Sequence, residues 1–212
     1  MTGVFGDLIG RTVVMLSLAT ALVALSIALD LPRTGASAAV GHGGPAGHGS
    51  GAALHAPVTS EADFIAGMIP HHQEAVDVAR EVLELGQRGE VRELAAAIVA
   101  TQQDEIDQLT AWLAAWYPAA PAASYTPMMR ALTGLTPDEV DLVFVSDMIQ
   151  HHEMAIAMAE ATLALDPAPR PEVAALARDV VRVQAEEIAT LRGWLAAWGA
   201  PAPASPTGGH GP

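Results

Sequence analysis

Two histidine pairs carry most of the chemistry open to this 212-residue chain. His71 and His72 follow Met68 in Met-Ile-Pro-His-His, and His151 and His152 follow Met148 in Met-Ile-Gln-His-His, eighty positions later. Each copy closes on Gln-x-x-Glu-Ile (Gln102 with Glu105, Gln184 with Glu187) and then on Trp-Leu-Ala-Ala-Trp, now offset by eighty-two. Four of the eight histidines occupy these two spots. Imidazole is the commonest metal-ligating side chain, so a doubled pair with a nearby thioether is most simply read as a metal site built twice. Cysteine is absent, which excludes disulfides and thiolate ligation. Met and His are then the donors left for Cu(I), and they remain usable where thiols would be oxidised.

The copies differ in one respect. Met154 and Met158 stand three and seven positions after His151, where the first copy has Glu74 and Val78. That soft flank predicts a Cu(I) preference in the second copy, and Cu(II) or another borderline divalent ion in the first. Met128 and Met129, between the copies, are expected to plug the core, with service as extra ligands the alternative. Two other readings of the polar residues stay open. One is a hydrogen-bonded layer that fixes helix register and binds nothing. The other is a redox enzyme with a metal centre in a ferritin-like bundle. Di-iron bundles place Glu-x-x-His on two helices, and no such motif occurs here. Nor is there a nucleophile–base arrangement or a phosphate loop.

The elements that must position these residues read as helices. Ser60-x-x-Asp63 and Thr136-Pro137-Asp138-Glu139 are capping starts, and Gly86, Pro118, Pro167 and Gly199 mark stops. Helices are expected over about 61–85, 90–116, 137–165 and 171–198. Each repeat, 60–117 and 136–199, has a short internal loop and so forms an antiparallel hairpin. The connection 118–135 reaches ~60 Å if extended, more than the ~40 Å of a helix, so a long crossover of the ferritin type is feasible. The expected fold is therefore an all-α, ferritin-like four-helix bundle of two repeated hairpins. The seam of the second helix reads Val91, Leu94, Ile98, Leu109, Trp112 and Trp116, with Gln102 and Glu105 at the missing steps. The fourth repeats it as Val173, Leu176, Val180, Leu191, Trp194 and Trp198, with Gln184 and Glu187. A carboxylate in such a stripe must be paired, protonated or bound to a cation. On the first helix His72 falls within the apolar face and His71 on its edge. Pro70 removes one amide and predicts a local kink beside His71 that the second copy lacks.

Composition bounds the rest. Net charge is −14, which repels phosphate backbones and makes nucleic acid an unsuitable partner. Residues 12–29 carry no charge and are followed by Ala36-Ser37-Ala38, a small-x-small cleavage pattern. Residues 1–38 are expected to be an export signal, or else an uncleaved anchor, the one expected link to a membrane. Either places the working domain outside the cytoplasm, in the periplasm, at the cell surface or beyond. Residues 39–59 read as a flexible Gly/His-rich linker and 201–212 as a flexible tail, flanking a bundle over 60–200. Oligomeric state leaves no trace in the sequence.

With these motifs the chain resembles the DUF305 family, through Asp63-Phe64 to Ala79 with its Met-Ile-Pro-His-His, Ile98 to Leu113 with its Gln-x-x-Glu-Ile, and their second copies. The resemblance implies an exported helical bundle that binds metal, copper above all, for sequestration or delivery in metal tolerance. It carries over to Met68, His71, His72, Gln102 and Glu105, and to Met148, His151, His152, Gln184 and Glu187. Gln150 departs from the family's proline.

Overall fold

The structure, a computed structural model, describes residues 57–199. The expected leader, the linker as far as residue 56 and the tail lie outside the described residues. Within them the chain forms four α-helices and no strand: α1 (Glu61–Leu85), α2 (Gly89–Trp116), α3 (Pro137–Leu163) and α4 (Pro171–Ala197). None is long and apolar enough to cross a membrane. α1 packs along α2 and α3 along α4, and the two hairpins meet through α1 and α3. This is the expected all-α bundle of two hairpins.

The starts are set by side chains that satisfy otherwise unpaired amides. Ser60 Oγ accepts from the Asp63 amide, while Thr136 and Glu139 form a full capping box ahead of Pro137. α1 runs through Pro70 as one helix. α3 stops at Leu163, two residues before the expected end, because the Leu165 amide turns back to Thr162 in a tightened last turn before Pro167.

Two apolar clusters fill the interior. One joins the start of α3 (Phe144, Val145, Met148) to Ala75, Ala79, Val91, Ile98, Ile188 and Leu191. The other joins the start of α1 (Phe64, Ile65, Met68) to Ala155, Ala159, Val173, Val180 and Leu109. The repeat offsets of eighty and eighty-two exchange most members of one cluster for those of the other, as a two-fold relation between hairpins requires. The expected seams need one correction. Ile106 and Ile188 are buried, whereas Glu105 and Glu187 lie on the flank, and Leu94 and the four tryptophans are only partly buried. The seam steps by four at that point, so each carboxylate shifts from the seam's centre to its rim.

A matched pair of clamps ties the hairpins together. Asp141, buried on α3, accepts from the amides of Gln87 and Arg88 and from the Arg88 guanidinium, which stacks over Trp198 at 4.2 Å. Glu61 on α1 takes the Arg170 amide and guanidinium, and Arg170 stacks over Trp116 at 4.6 Å. Each hairpin loop thus inserts its arginine between an acid and a tryptophan of the other repeat. The guanidinium plane suits both contacts at once.

Candidate metal centre

The buried polar side chains of the described residues are few: His71, His72, Gln102, His151, His152 and Gln184, together with Asp141 and Thr162. The first six share one level. On every helix they fall between residues of the first apolar cluster and residues of the second. The expected convergence of all four helices at one layer is therefore what the fold produces.

Within that layer each histidine pair splits. Neighbours on a helix point about 100° apart, so one ring turns toward the partner helix of its own hairpin and the other toward the opposite hairpin. His72 Nε2 lies 2.8 Å from Glu105 on α2, and His152 Nε2 lies 2.7 Å from Glu187 on α4. The carboxylate side chains retain 26% and 23% exposure, so each pair joins a dry imidazole to a partly wet acid. Neither His72 nor His152 has an aligned hydrogen bond at either ring nitrogen, because the nearby oxygen lies off the N–H direction. The amide oxygens of Gln102 and Gln184, one turn before the carboxylates, are likewise buried without a hydrogen bond. Leaving such a group dry and unbonded costs about 1–3 kcal/mol, so four side chains with that deficit in one layer form a donor set suited to a cation.

His71 and His151 face each other across α1 and α3, with ring centroids 3.7 Å apart. The sequence placed His71 on the edge of its face; it is fully buried, because α1 is covered by α3 as well as by α2. His151 Nε2 sits 3.1 Å from the His71 carbonyl. A carbonyl only accepts, so Nε2 carries the proton and Nδ1 is left as a buried lone pair. Burial holds the His151 pKa down to about 4 against the lesser opposing pull of Glu74, so the ring is neutral near pH 7.

Glu74 was not expected at this centre. Its carboxylate lies 3.4 Å from His151 Nε2 and accepts from the Tyr125 hydroxyl and the amides of Met128 and Met129. Burial alone would raise its pKa, but the bonds from His151, Tyr125 and the Met129 amide outweigh that and hold it at about 2. Met129 also packs against the first cluster, close to its expected role as a plug.

Three of the four candidate thioethers lie at one end of the layer, and two of the three come from the second repeat. Met68 and Met158 belong to the second cluster and Met154 packs against it, whereas Met148 belongs to the first. Met158 crosses to α1, where a Cβ added at Gly67 would sit 3.1 Å from its methyl carbon. There it borders a cavity of about 550 Å³, walled also by Trp116, Tyr117 and the first crossover residues. Among the described residues, no group of three His, Asp or Glu side chains is gathered closely enough to hold an ion unaided. Amide or thioether donors would have to complete each His–Glu pair.

The DUF305 family, described as a domain of unknown function, matches residues 61–140 and again 141–211, and the chain belongs to it. None of the curated proteins matches. Among solved structures, CopM in its Cu(I)-bound form is 31% identical with a TM-score of 0.57, over 66% of this chain and 97% of that one. CopM has also been solved in Cu(II)-bound, silver-bound and apo forms. A DUF305 fragment from Deinococcus radiodurans is 31% identical with a TM-score of 0.57, over 67% and 99% of the two chains. A DUF305 protein from Streptomyces coelicolor is 26% identical with a TM-score of 0.61, over 69% and 99%.

Proposed function

We propose that this member of the DUF305 family binds copper outside the cytoplasm and holds it for sequestration or delivery, with the metal as cargo and no catalytic step. The observation that carries the reading is the pair of buried histidines, His72 and His152, each beside a carboxylate and each lacking an aligned hydrogen bond. Two ligands about 2.0 Å from one ion and at right angles are about 2.8 Å apart, close to the spacing of these His–Glu pairs. Gln102 and Gln184 offer a third donor, giving a nitrogen and two oxygens on each side. That set suits Cu(II) or another borderline divalent ion. Met68, Met154 and Met158, gathered at one end of the layer, and Met148 at the other, supply the thioethers that Cu(I) prefers. CopM, solved with both oxidation states of copper and with silver, supports a DUF305 bundle as a copper binder. The cleavage pattern at residues 36–38, and the description of the Streptomyces relative as a candidate secreted protein, support export.

Competition titration against chromophoric Cu(I) and Cu(II) chelators tests the reading. His72→Ala with His152→Ala should lower Cu(II) affinity at least tenfold. His151→Ala with His152→Ala should weaken Cu(I) more than His71→Ala with His72→Ala, because Met154 and Met158 stand on the His151 flank. Unchanged affinities in all three, beside lowered thermal stability, would leave a register-fixing polar layer as the correct account.

A further inference from the structure

Residues 125–130 of the crossover lie across the seam between α1 and α3 and are tied to both helices beside the central histidines. On α1, one turn past His71, Glu74 takes the Tyr125 hydroxyl and the amides of Met128 at 2.8 Å and Met129 at 3.0 Å. On α3, one turn before His151, Asp147 takes the Arg130 amide at 2.9 Å and its guanidinium through Nε at 3.0 Å and Nη2 at 2.7 Å. The Tyr125 ring stands edge-on to His71, with centroids 6.2 Å apart and planes at 81°. Nonhelical backbone rarely directs successive amides at a carboxylate with so little exposure, and the contact is made where the chain passes the histidine pair.

The repeat has no second copy of this arrangement. The two-fold relation places Met154 where Glu74 would be and Gly67 where Asp147 would be. The bonds therefore serve the crossover alone and play no part in the symmetric packing of the hairpins.

We propose that residues 125–130 form a strap that governs access to the His71–His151 pair at the centre of the layer, and thereby the rate of Cu(I) exchange there, with Glu74 and Asp147 as its positioning residues. The metal part rests on the copper-binding reading above, while access to the histidines can be read without metal. The Arg130 side chain is largely exposed, so its fork to Asp147 is the anchor that water competes for and the one that releases first. Freed there, the strap remains held by the bonds at Glu74.

The test uses Tyr125→Phe and Arg130→Ala, alone and together, in the full chain. In the metal-free protein, diethylpyrocarbonate modification followed by peptide mass spectrometry should find His71 and His151 reacting roughly tenfold faster in the double variant, the factor for losing the Tyr125 bond to a charged acceptor, to which the exposed Arg130 fork adds a smaller one. His72 and His152, turned into their own hairpins, should change far less. Stopped-flow exchange of Cu(I) with a chromophoric chelator should show loading and release accelerated by similar factors, with little change in affinity. Unaltered reactivity of His71 and His151 overturns the strap. So does an affinity loss carried by release alone, which would make the segment a stabiliser of bound metal. Wild-type protein that takes up no Cu(I), with modification still accelerated, refutes the copper reading and keeps the strap as the cover of the histidine pair. Arg130→Ala, at an exposed position, keeps the test available should the double variant lose helicity.

Discussion

Replacing Gln102 and Gln184 together by leucine should stabilise the metal-free protein while weakening its hold on copper. Each glutamine is 4% exposed, and each amide oxygen is buried without a hydrogen bond between two apolar clusters. An acceptor in that state costs about 1–3 kcal/mol, and a leucine of similar length adds favourable apolar burial. Taking about 1 kcal/mol per position as the lower figure, the pair gains about 2 kcal/mol, since the two sites lie on different hairpins and should be nearly additive. For a domain of this size that is a rise in melting temperature of roughly 4–8 °C. The assay is calorimetry on exhaustively chelated protein, beside competition titration with a Cu(II) chelator. A fall in melting temperature refutes the reasoning, because it would mean that the amides are satisfied members of a network kept for register. A rise with copper affinity unchanged would refute the assignment of these oxygens as ligands.

Two further perturbations probe the scaffold. Arg88→Ala should cost about 2–3 kcal/mol by denaturant unfolding, since it removes a charged donor from fully buried Asp141 and the stacking on Trp198; a loss below about 0.5 kcal/mol would show that the Gln87 and Arg88 amides alone satisfy the acid. Acid should destabilise the bundle in two stages. His151 is held near 4 against an ordinary 6.5, so the unfolded chain binds the extra proton first and stability falls as pH drops from about 6.5 to 4. Glu74 is held near 2 against 4.5, so its contribution is complete above about 4.5 and is lost from there toward 2. A metal-free melting temperature constant from pH 7 to 4 would contradict the buried neutral state of His151.

Periodicity made the helices and the polar layer legible, because a histidine or glutamine in an apolar stripe is conspicuous in one dimension. It could not separate Glu105 from Ile106, or Glu187 from Ile188. Both positions fit a stripe that steps by three or four, and only packing against the partner helix decides between them. The splitting of each His-His pair was geometrically implied by the 100° step, but its meaning depended on α1 being covered from two sides. Glu74 was legible only as the hard counterpart of Met154; its bonds stayed hidden because their partners lie in the crossover, about fifty residues away, with no motif of their own. The clamps were within reach. Glu61 and Asp141 are eighty apart and Arg88 and Arg170 eighty-two, the same offsets that relate the metal-site motifs.

Those offsets also separate what the two hairpins share, the proposed ligands included, from what the single crossover adds. The clamps, the apolar clusters, the His–Glu pairs and the buried glutamines all obey the repeat, as packing two like hairpins about a two-fold demands. Glu74 against Met154, and Asp147 against Gly67, do not. A bundle of two like hairpins needs no such difference, since either residue set repeated twice would fill the same seam. The departures lie on the helix faces that meet over His71 and His151, where the single crossover passes. One chain segment cannot itself obey a two-fold, so it makes one half of the seam a latch of carboxylates and leaves thioethers and a cavity in the other. Metal that passes the strap therefore meets two unlike sides, and Cu(I) should come to rest on the thioether side, at Met158 beside Gly67.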